Sequence, residues 1–212
     1  MQDYFNELIC RYPELSDIEK DIREVYNLLK KCFNNNGTLF VCGNGGSASD
    51  GEHIVGELLK GFRLKREINQ DLKNKFTEKF GEEGTNTAEK LQSGFKAISL
   101  GSHPAFLTAF ANDVDADLIF AQQLFVLGKE GDVLMGFTTS GNSKNILKAM
   151  EVASVKGIKT ILMTGASGGK AFKMADYSLK MPETETYKIQ ELHLPVYHAI
   201  CLMIEEHFYG KK

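Results

Sequence analysis

The stretch VCGNGGSASDGEH, residues 41–53, lies directly after the apolar run TLFV and directly before a helix-like run. Gly43, Gly45 and Gly46 have no Cβ, so a ligand can approach the backbone closely here. Ser47 follows at the start of the predicted helix, where backbone N–H groups and the helix dipole favour an anion. The stretch predicts a strand, turn and helix that hold a phosphate or a sugar. A tight turn without a ligand is the alternative.

Short β-type runs recur along the chain and are separated by helix-like segments. They occupy residues 38–42, 95–100, 131–138, 159–164 and 177–181. This alternation predicts βαβ units and a mostly parallel sheet with helices on both faces. Open α/β sheets bind ligands beyond the carboxyl ends of their strands, so the strand-to-helix turns are where function is expected.

The N-terminal segment, residues 1–36, is predicted to be helical. Apolar residues recur at helical spacing within SDIEKDIREVYNLLKKCF, and NNNG follows as a helix stop. Ser16 and Glu19 form a capping-box pattern, which predicts that the helix begins at Ser16.

Residues 63–94 interrupt the βαβ pattern with a polar stretch of mixed charge. A surface helix is the first interpretation of this excursion. A disordered loop and an oligomer contact are the alternatives, because the composition supports either.

The composition fits one globular domain. The 212 residues are 42% hydrophobic and 25% charged, with a formal net charge of -3. No basic block suggests nucleic acid as a partner, and neither a signal peptide nor a span of about 20 apolar residues suggests a membrane. Four widely spaced cysteines are expected to be reduced thiols. We therefore expect a cytoplasmic protein.

A second turn, in GDVLMGFTTSGNSKN, also follows an apolar strand and precedes an amphipathic helix. It surrounds Gly141 with hydroxyl side chains, namely those of Thr138, Thr139, Ser140 and Ser143. Hydroxyls and helix-terminal amides suit a dianionic phosphate, whereas the absence of Lys or Arg within the turn disfavours a nucleoside triphosphate. Two such turns on one sheet predict a phosphorylated, polyhydroxylated ligand.

Two pairs of polar residues lie at helical spacing further along the predicted helices. His53 and Glu57 are four residues apart, and Gln190 and His198 are eight apart, which is about two turns. Two imidazoles, a carboxylate and an amide oxygen can bind zinc, although spacing alone does not establish a site. The alternatives are a solvated Glu57, a buried hydrogen-bonded His53 and a polar stripe on the last helix.

GNGGSASDGEH and TTSGNSKN resemble the paired signature loops of the sugar isomerase (SIS) domain, and the residues around them resemble its phosphoheptose isomerase branch. The resemblance implies a three-layer α/β/α sandwich with a mainly parallel five-stranded sheet, formed as a single SIS domain over residues 1–212. It also implies a homotetramer with active sites at subunit contacts and a phosphosugar substrate.

The same resemblance implies roles for individual residues. One zinc ion per subunit is held by His53, Glu57, Gln190 and His198. Glu57 moves the carbon-bound proton, and His198 serves the oxygens or opens the sugar ring. The implied substrate-binding residues are Asn44, Gly45, Gly46, Ser47, Asp113, Thr138, Thr139, Ser140, Ser143 and Gln190. The hydroxyl groups bind phosphate, whereas Asn44 and Asp113 contact sugar hydroxyls; for Asp113, a helix N-cap is the alternative.

The chain departs from the family pattern at two positions. Tyr187 stands where an acid is common, and Gly61 stands where an arginine is common. The implied reaction is conversion of sedoheptulose 7-phosphate into D-glycero-D-manno-heptose 7-phosphate, the entry step to activated heptose. The departures keep two alternatives open, an isomerase of a pentose or hexose phosphate and a non-catalytic module that senses phosphosugars or scaffolds a partner.

Overall fold

The computed structural model describes residues 3–210, and all strands within that range belong to one parallel sheet. The predicted domain and the N-terminal segment extend beyond this range by the first two residues, and the domain also by the last two. The spatial order of the strands is β2-β1-β3-β4-β5. The strands are β1 (Leu39–Cys42), β2 (Ala97–Ser99), β3 (Val133–Phe137), β4 (Lys159–Thr164) and β5 (Tyr177–Lys180). Each lies within a predicted run, which confirms the α/β class.

The strand order creates a switch point between β1 and β3. The chain moves from β1 outward to β2, then returns past β1 to build β3, β4 and β5 on the other side. Leu39 pairs with Val133, and Cys42 pairs with Gly136. The turns after β1 and β3 therefore leave the sheet side by side, where doubly wound sheets bind ligands.

Helices cover both faces of the sheet, as the three-layer sandwich requires. They are α1 (Tyr4–Arg11), α2 (Glu19–Asn34), α3 (Gly46–Leu59), α4 (Gln70–Lys90), α5 (Pro104–Phe110), α6 (Ile119–Leu127), α7 (Lys144–Val155) and α8 (Thr186–Tyr209).

Alternate side chains of β1 enter opposite cores, as the two-residue period of a strand dictates. Leu39 and Val41 pack into the core shared with α1, α2, α3 and α8. Phe40 and Cys42 pack into the core shared with α6 and α7. The sheet is thus buried on both sides. No helix within residues 3–210 is long and apolar enough to cross a bilayer.

The predicted capping box at Ser16 is wrong. Pro13–Ile18 forms a 3-10 helix, and α2 begins at Glu19 with Ile18 as its N-cap. Proline is favoured in the first turn of a helix, so the backbone is already helical at Ser16. An N-cap needs non-helical backbone angles, which that position does not provide.

The charged excursion contains the helix α4, so the surface-helix interpretation is confirmed and the disordered-loop alternative is wrong. Gly81 has φ 60 and ψ -138, which breaks α4 into two arms. The Thr77 and Thr85 hydroxyls meet across the arms at 2.8 Å. A Cβ on Gly84 would collide with the Phe76 carbonyl, so glycine permits this close approach.

Candidate active site

The two glycine- and hydroxyl-rich turns meet above the switch point of the sheet. Asn44, in the turn after β1, and Asn145, in the first turn of α7, exchange a pair of side-chain hydrogen bonds. Asn44 Nδ2 donates to Asn145 Oδ1 at 3.0 Å, and Asn145 Nδ2 donates to Asn44 Oδ1 at 2.9 Å. The amide pair fixes the spacing of the two turns, and Asn145 is a site residue that the sequence analysis missed.

The turn after β3 is shaped by hydroxyl contacts and by a close approach of backbone. The Thr138 and Ser143 hydroxyls lie 2.9 Å apart, and Ser140 Oγ accepts from the Asn142 N–H at 3.2 Å. Gly141 has φ 66, and a Cβ there would collide with the Gly168 carbonyl. The turn therefore requires glycine for both its backbone angle and its packing.

Gly168 belongs to a third loop, TGASGGK, which follows β4 and was missed by the sequence analysis. This loop and the turn after β3 line a cleft of about 330 Å³. The polar side chains of that cleft are those of Thr139, Ser140, Asn142, Ser167, Glu183, Thr184 and Thr186. The signal for this loop was present in the sequence, since Gly168 and Gly169 follow an apolar strand as the glycines of the first turn do.

Gln190 contacts the first turn. Its Nε2 donates to Ser47 Oγ at 3.3 Å, and a Cβ on Gly46 would lie 2.9 Å from that nitrogen. Gly45, the N-cap of α3, has φ 57. Gly46 thus provides the space that the Gln190 amide occupies. The structure joins Gln190 to the predicted phosphate turn.

His53, Glu57 and His198 lie close together, beyond Ser47 along α3 and beyond Gln190 along α8. His53 Nε2 lies 3.3 Å from Glu57 Oε1 and 3.4 Å from His198 Nε2. The Glu57 side chain is 13% exposed, whereas that of His53 is 42% exposed. The structure thus brings these three predicted site residues together, and their roles stay predictions. α3 supplies two of them on one face because they are four residues apart, and α8 crosses at His198.

Tyr197 and Asp50 orient the His53 ring and were also missed. The Tyr197 hydroxyl donates to Asp50 Oδ1 at 3.4 Å and lies 3.0 Å from His53 Nδ1. With its proton directed to Asp50, the hydroxyl accepts from Nδ1–H, which leaves the Nε2 lone pair pointing at Glu57 and His198. This is the tautomer that a metal-binding or proton-accepting imidazole needs.

Burial dominates the electrostatics of the site. It raises the pKa of Asp50, while the Tyr197 hydrogen bond and His53 act in the opposite direction. Burial also lowers the pKa of His198, and the adjacent His53 lowers it further. Both effects favour a neutral His198 ring, whose lone pair is then available.

Lys60 completes the surroundings of Glu57. Its Nζ lies 3.0 Å from Glu57 Oε2, so the two carboxylate oxygens face different partners. Oε1 faces His53, and Oε2 faces the ammonium group. Lys60 is a neighbour of Gly61, where the family pattern has an arginine, and it places a cation beside the carboxylate.

The pairwise distances fit a tetrahedral zinc site in part. With Zn–N and Zn–O bonds of about 2.0–2.1 Å, neighbouring ligand atoms lie about 3.3 Å apart. The His53–Glu57 and His53–His198 separations have this value. No group of three or more His, Cys, Asp or Glu within residues 3–210 is fully arranged as a metal site. The two close pairs share His53, and the fourth expected ligand, Gln190, contacts Ser47.

Asp113 lies in the segment between α5 and α6. It lies in an exposed π-helical turn, Ala111–Asp115, and Oδ1 accepts from Asn112 at 2.8 Å. The alternative N-cap role is wrong, because Asp115 fills it for the following 3-10 turn by accepting from the Asp117 N–H at 2.7 Å. A sugar contact at Asp113 stays a prediction.

Comparisons with known proteins show the family of the chain. Residues 101–204 match the SIS domain family. A phosphoheptose isomerase from Helicobacter pylori strain P12 is 37% identical over 197 residues, covering 93% of this chain and 89% of the relative. The solved phosphoheptose isomerase from Francisella tularensis superposes with a TM-score of 0.76 at 30% identity, covering 96% of this chain and 95% of the other. The Neisseria gonorrhoeae phosphoheptose isomerase gives 0.74 at 30% identity, covering 95% of each chain. By its sequence and its sheet, the chain belongs to the phosphoheptose isomerase family of SIS domain proteins.

Proposed function

We propose that this aldose-ketose isomerase converts sedoheptulose 7-phosphate into D-glycero-D-manno-heptose 7-phosphate, the entry step to activated heptose. The observation that carries the proposal is the position of Glu57, a shielded carboxylate held between His53 and Lys60. It lies on the helix whose N-terminus forms the first hydroxyl turn, so one element serves both ends of a phosphosugar.

Two proton movements make up the reaction. One proton must leave C1 of the ketose and reach C2 of the aldose, while another moves between the oxygens on those carbons. Glu57 accepts the C1 proton as the C1–C2 enediol forms, and then returns a proton to C2. His198 moves the proton between the oxygens and assists ring opening through Nδ1, because its Nε2 faces His53 and would be the nitrogen that binds zinc.

His53, Glu57, Gln190 and His198 are the residues that would hold one zinc ion per subunit. Bound zinc would polarise the substrate carbonyl and stabilise negative charge on the adjacent oxygens. The separate partners of the two Glu57 oxygens support a division of labour. Oε1, which faces His53, would be the oxygen that binds the ion, and Oε2, on the Lys60 side, handles the proton.

The phosphate is assigned to hydroxyl groups and helix-terminal amides. Ser47, Thr138, Thr139, Ser140 and Ser143 supply the hydroxyls, and the backbone at Gly45 and Gly46 allows close approach. Gln190 links this region to the proton-transfer residues, because its amide contacts Ser47 while its helix carries His198. Asn44 and Asp113 are assigned to the sugar hydroxyls.

A homotetramer with active sites at subunit contacts is part of the proposal. A groove of about 150 Å³ between α1 and α8 includes His198 and apolar residues such as Leu8 and Leu194. A neighbouring subunit seated there would enclose the proton-transfer residues. Light scattering coupled to size exclusion measures the assembly. We also assign the enzyme to the cytoplasm, a reducing compartment that suits its four free cysteines, and cell fractionation tests this.

Another phosphosugar is the second candidate substrate. Tyr187 is 56% exposed at the start of α8, near the cleft residues Thr184 and Thr186, and stands where the family pattern has an acid. This departure is the reason for keeping a pentose or hexose phosphate as the alternative substrate. A sensor without catalysis has no use for a shielded carboxylate beside two imidazoles.

The test follows conversion of sedoheptulose 7-phosphate by NMR, with and without a chelator and with zinc restored. We expect conversion that the chelator abolishes. Glu57→Gln should lower kcat by about 10²–10⁴-fold, the range for loss of a general base, while Glu191→Gln on exposed α8 surface leaves it unchanged. If the protein binds sedoheptulose 7-phosphate without converting it, the proposed substrate is wrong, and a panel of pentose and hexose phosphates is tested next. Conversion by Glu57→Gln at the wild-type rate would remove Glu57 from the mechanism.

A further inference from the structure

A fully buried ion pair joins the loop after α3 to α8. Arg66 Nε lies 2.8 Å from Glu205 Oε1, and the two side chains are 0% and 1% exposed. Neither residue carries any role in the reaction described above. Buried pairs of this kind rarely stabilise a fold more than apolar residues of the same size would. Stability alone therefore does not account for the pair.

Glu205 organises the loop that leaves α3. Its Oε1 accepts from the Phe62 N–H at 2.8 Å, and its Oε2 accepts from the Arg63 and Leu64 N–H groups at 2.8 and 3.0 Å. Burial opposes ionisation of Glu205, yet these hydrogen bonds and Arg66 lower its pKa. The carboxylate fixes three consecutive residues of the backbone.

Arg66 holds the C-terminal end of α3. Its Nη1 donates to the Leu58 carbonyl at 2.8 Å, and its Nη2 donates to the Glu57 carbonyl at 3.1 Å. These carbonyls belong to the last turn of the helix, where intrahelical partners run out. The guanidinium also lies over the rings of Phe95 and Tyr209, at 5.0 and 5.4 Å from their centroids. Its planar fork therefore has one orientation.

The pair connects the two helices that bring the proton-transfer residues together. Arg66 grips the backbone of Glu57 itself on α3. Glu205 lies on α8 seven residues after His198, which is about two turns. We propose that Arg66 and Glu205 are positioning residues that set the separation of His53 and Glu57, both on α3, from His198 on α8. This inference rests on the function proposed above.

The experiment compares three variants with the wild type. Arg66→Lys keeps the charge but loses the fork that reaches both carbonyls. Arg66→Met combined with Glu205→Gln removes both charges while leaving an acceptor for the loop N–H groups, so it serves if Arg66→Lys does not fold. Leu124→Ala is the matched control, since it weakens the core on the opposite face of the sheet.

Each variant is assayed for melting temperature, for kcat and KM with sedoheptulose 7-phosphate, and for zinc affinity by competition with a chromophoric chelator. We expect the Arg66 variants to lose at least about tenfold in kcat and in zinc affinity, within the range for loss of a residue that orients metal ligands. KM should stay within about threefold. Leu124→Ala should lower the melting temperature without either loss.

Arg66 variants that retain kcat and zinc affinity within about twofold of the Leu124→Ala control overturn the proposal, because the pair is then only structural. A wild type that binds zinc but converts no sedoheptulose 7-phosphate refutes the proposed function instead. In that case weaker zinc binding by the Arg66 variants still supports the positioning role. A wild type that neither converts nor binds zinc refutes both.

Discussion

Two clusters of polar side chains, both formed between α3 and α8, differ in how completely their polar atoms are paired. Arg66 and Glu205 are buried and contact each other. Together they also form hydrogen bonds with five backbone groups, three N–H and two C=O. His53, Glu57 and His198 are partly open and hold one another at 3.3–3.4 Å. Complete pairing fixes a backbone, whereas incomplete pairing leaves lone pairs for a substrate or a metal.

Breaking the buried cluster should have the largest effect on stability. Arg66→Met leaves the Glu205 carboxylate buried without its cation, and we expect the free energy of unfolding to fall by about 3–5 kcal/mol. Urea denaturation at pH 7 measures it. Lys148→Met, which breaks an exposed pair with Glu151, is the control and should change the value by less than about 1 kcal/mol. Equal losses in the two variants would show that burial does not separate the pairs.

His193 tests whether burial without pairing carries a penalty at low pH. The side chain is fully buried, and within the described range neither ring nitrogen has a hydrogen bond of good geometry, although the Thr164 backbone interacts weakly with the ring. Burial lowers the pKa of His193 to about 4, and the nearby Thr164 backbone opposes the shift only in part. Between about pH 6.5 and pH 4, His193 is therefore protonated in the unfolded chain, whose His pKa is about 6.5, but neutral in the folded protein.

The contribution of the neutral His193 to the free energy of unfolding is complete above pH 6.5. It is lost as the pH falls, and at about pH 4 the free energy of unfolding has decreased by about 3 kcal/mol. Denaturation of the wild type and of His193→Leu across this range checks the slope. The difference between the two proteins isolates His193, because the other titrating groups are shared. Parallel curves would mean that the ring is protonated as readily in the folded state as in the unfolded one.

Removing the Tyr197 hydroxyl, which orients the His53 ring, should have an intermediate effect, and the effect should be on zinc affinity. Tyr197→Phe removes the hydroxyl that receives Nδ1–H, which frees the imidazole tautomer while the packing against Phe137 stays. We expect zinc affinity to fall by about 10–100-fold, as for loss of a hydrogen bond that orients a metal ligand. Chelator competition measures the affinity, and Tyr26→Phe, which removes a hydroxyl from a half-buried tyrosine on α2, is the control. An unchanged affinity would show that the His53 ring is held by packing alone.

The exposed ion pair between Lys60 and Glu57 should have the smallest effect on stability. Lys60→Met removes the cation at Glu57 Oε2, and because Lys60 is largely exposed we expect the free energy of unfolding to change by less than about 1 kcal/mol. Urea denaturation at pH 7 gives the value. A loss as large as that of Arg66→Met would mean that the open cluster is structural as well.

The sequence predicts features that depend on local pattern. Strands and helices follow hydrophobic periodicity, and the turns at Gly45 and Gly141 follow the need for positive φ, so both were predicted. His53 and Glu57 were placed on one face by their spacing. The capping box failed because Pro13, three residues earlier, had already started a helical turn.

Contacts between distant residues were not predictable in the same way. Arg66 and Glu205 are separated by 139 residues, and Arg66 looked like one more charge in the polar excursion. Gln190 and Ser47 are separated by 143 residues, and only the packing of α8 on α3 brings them together. Such pairs depend on how helices cross, which no periodicity encodes.

The two-armed helix α4 leaves and rejoins the fold at nearly one point. Glu67 and Gln92 form an isolated antiparallel bridge at its base, and the Gln92 side chain accepts from the Gly61 N–H at 2.8 Å. The entropy of closing a loop grows only slowly with its length, so the fold tolerates a long or a short segment between these residues. Residues 68–91 are therefore a natural place to shorten the chain or to insert a reporter domain, provided that the bridge is retained.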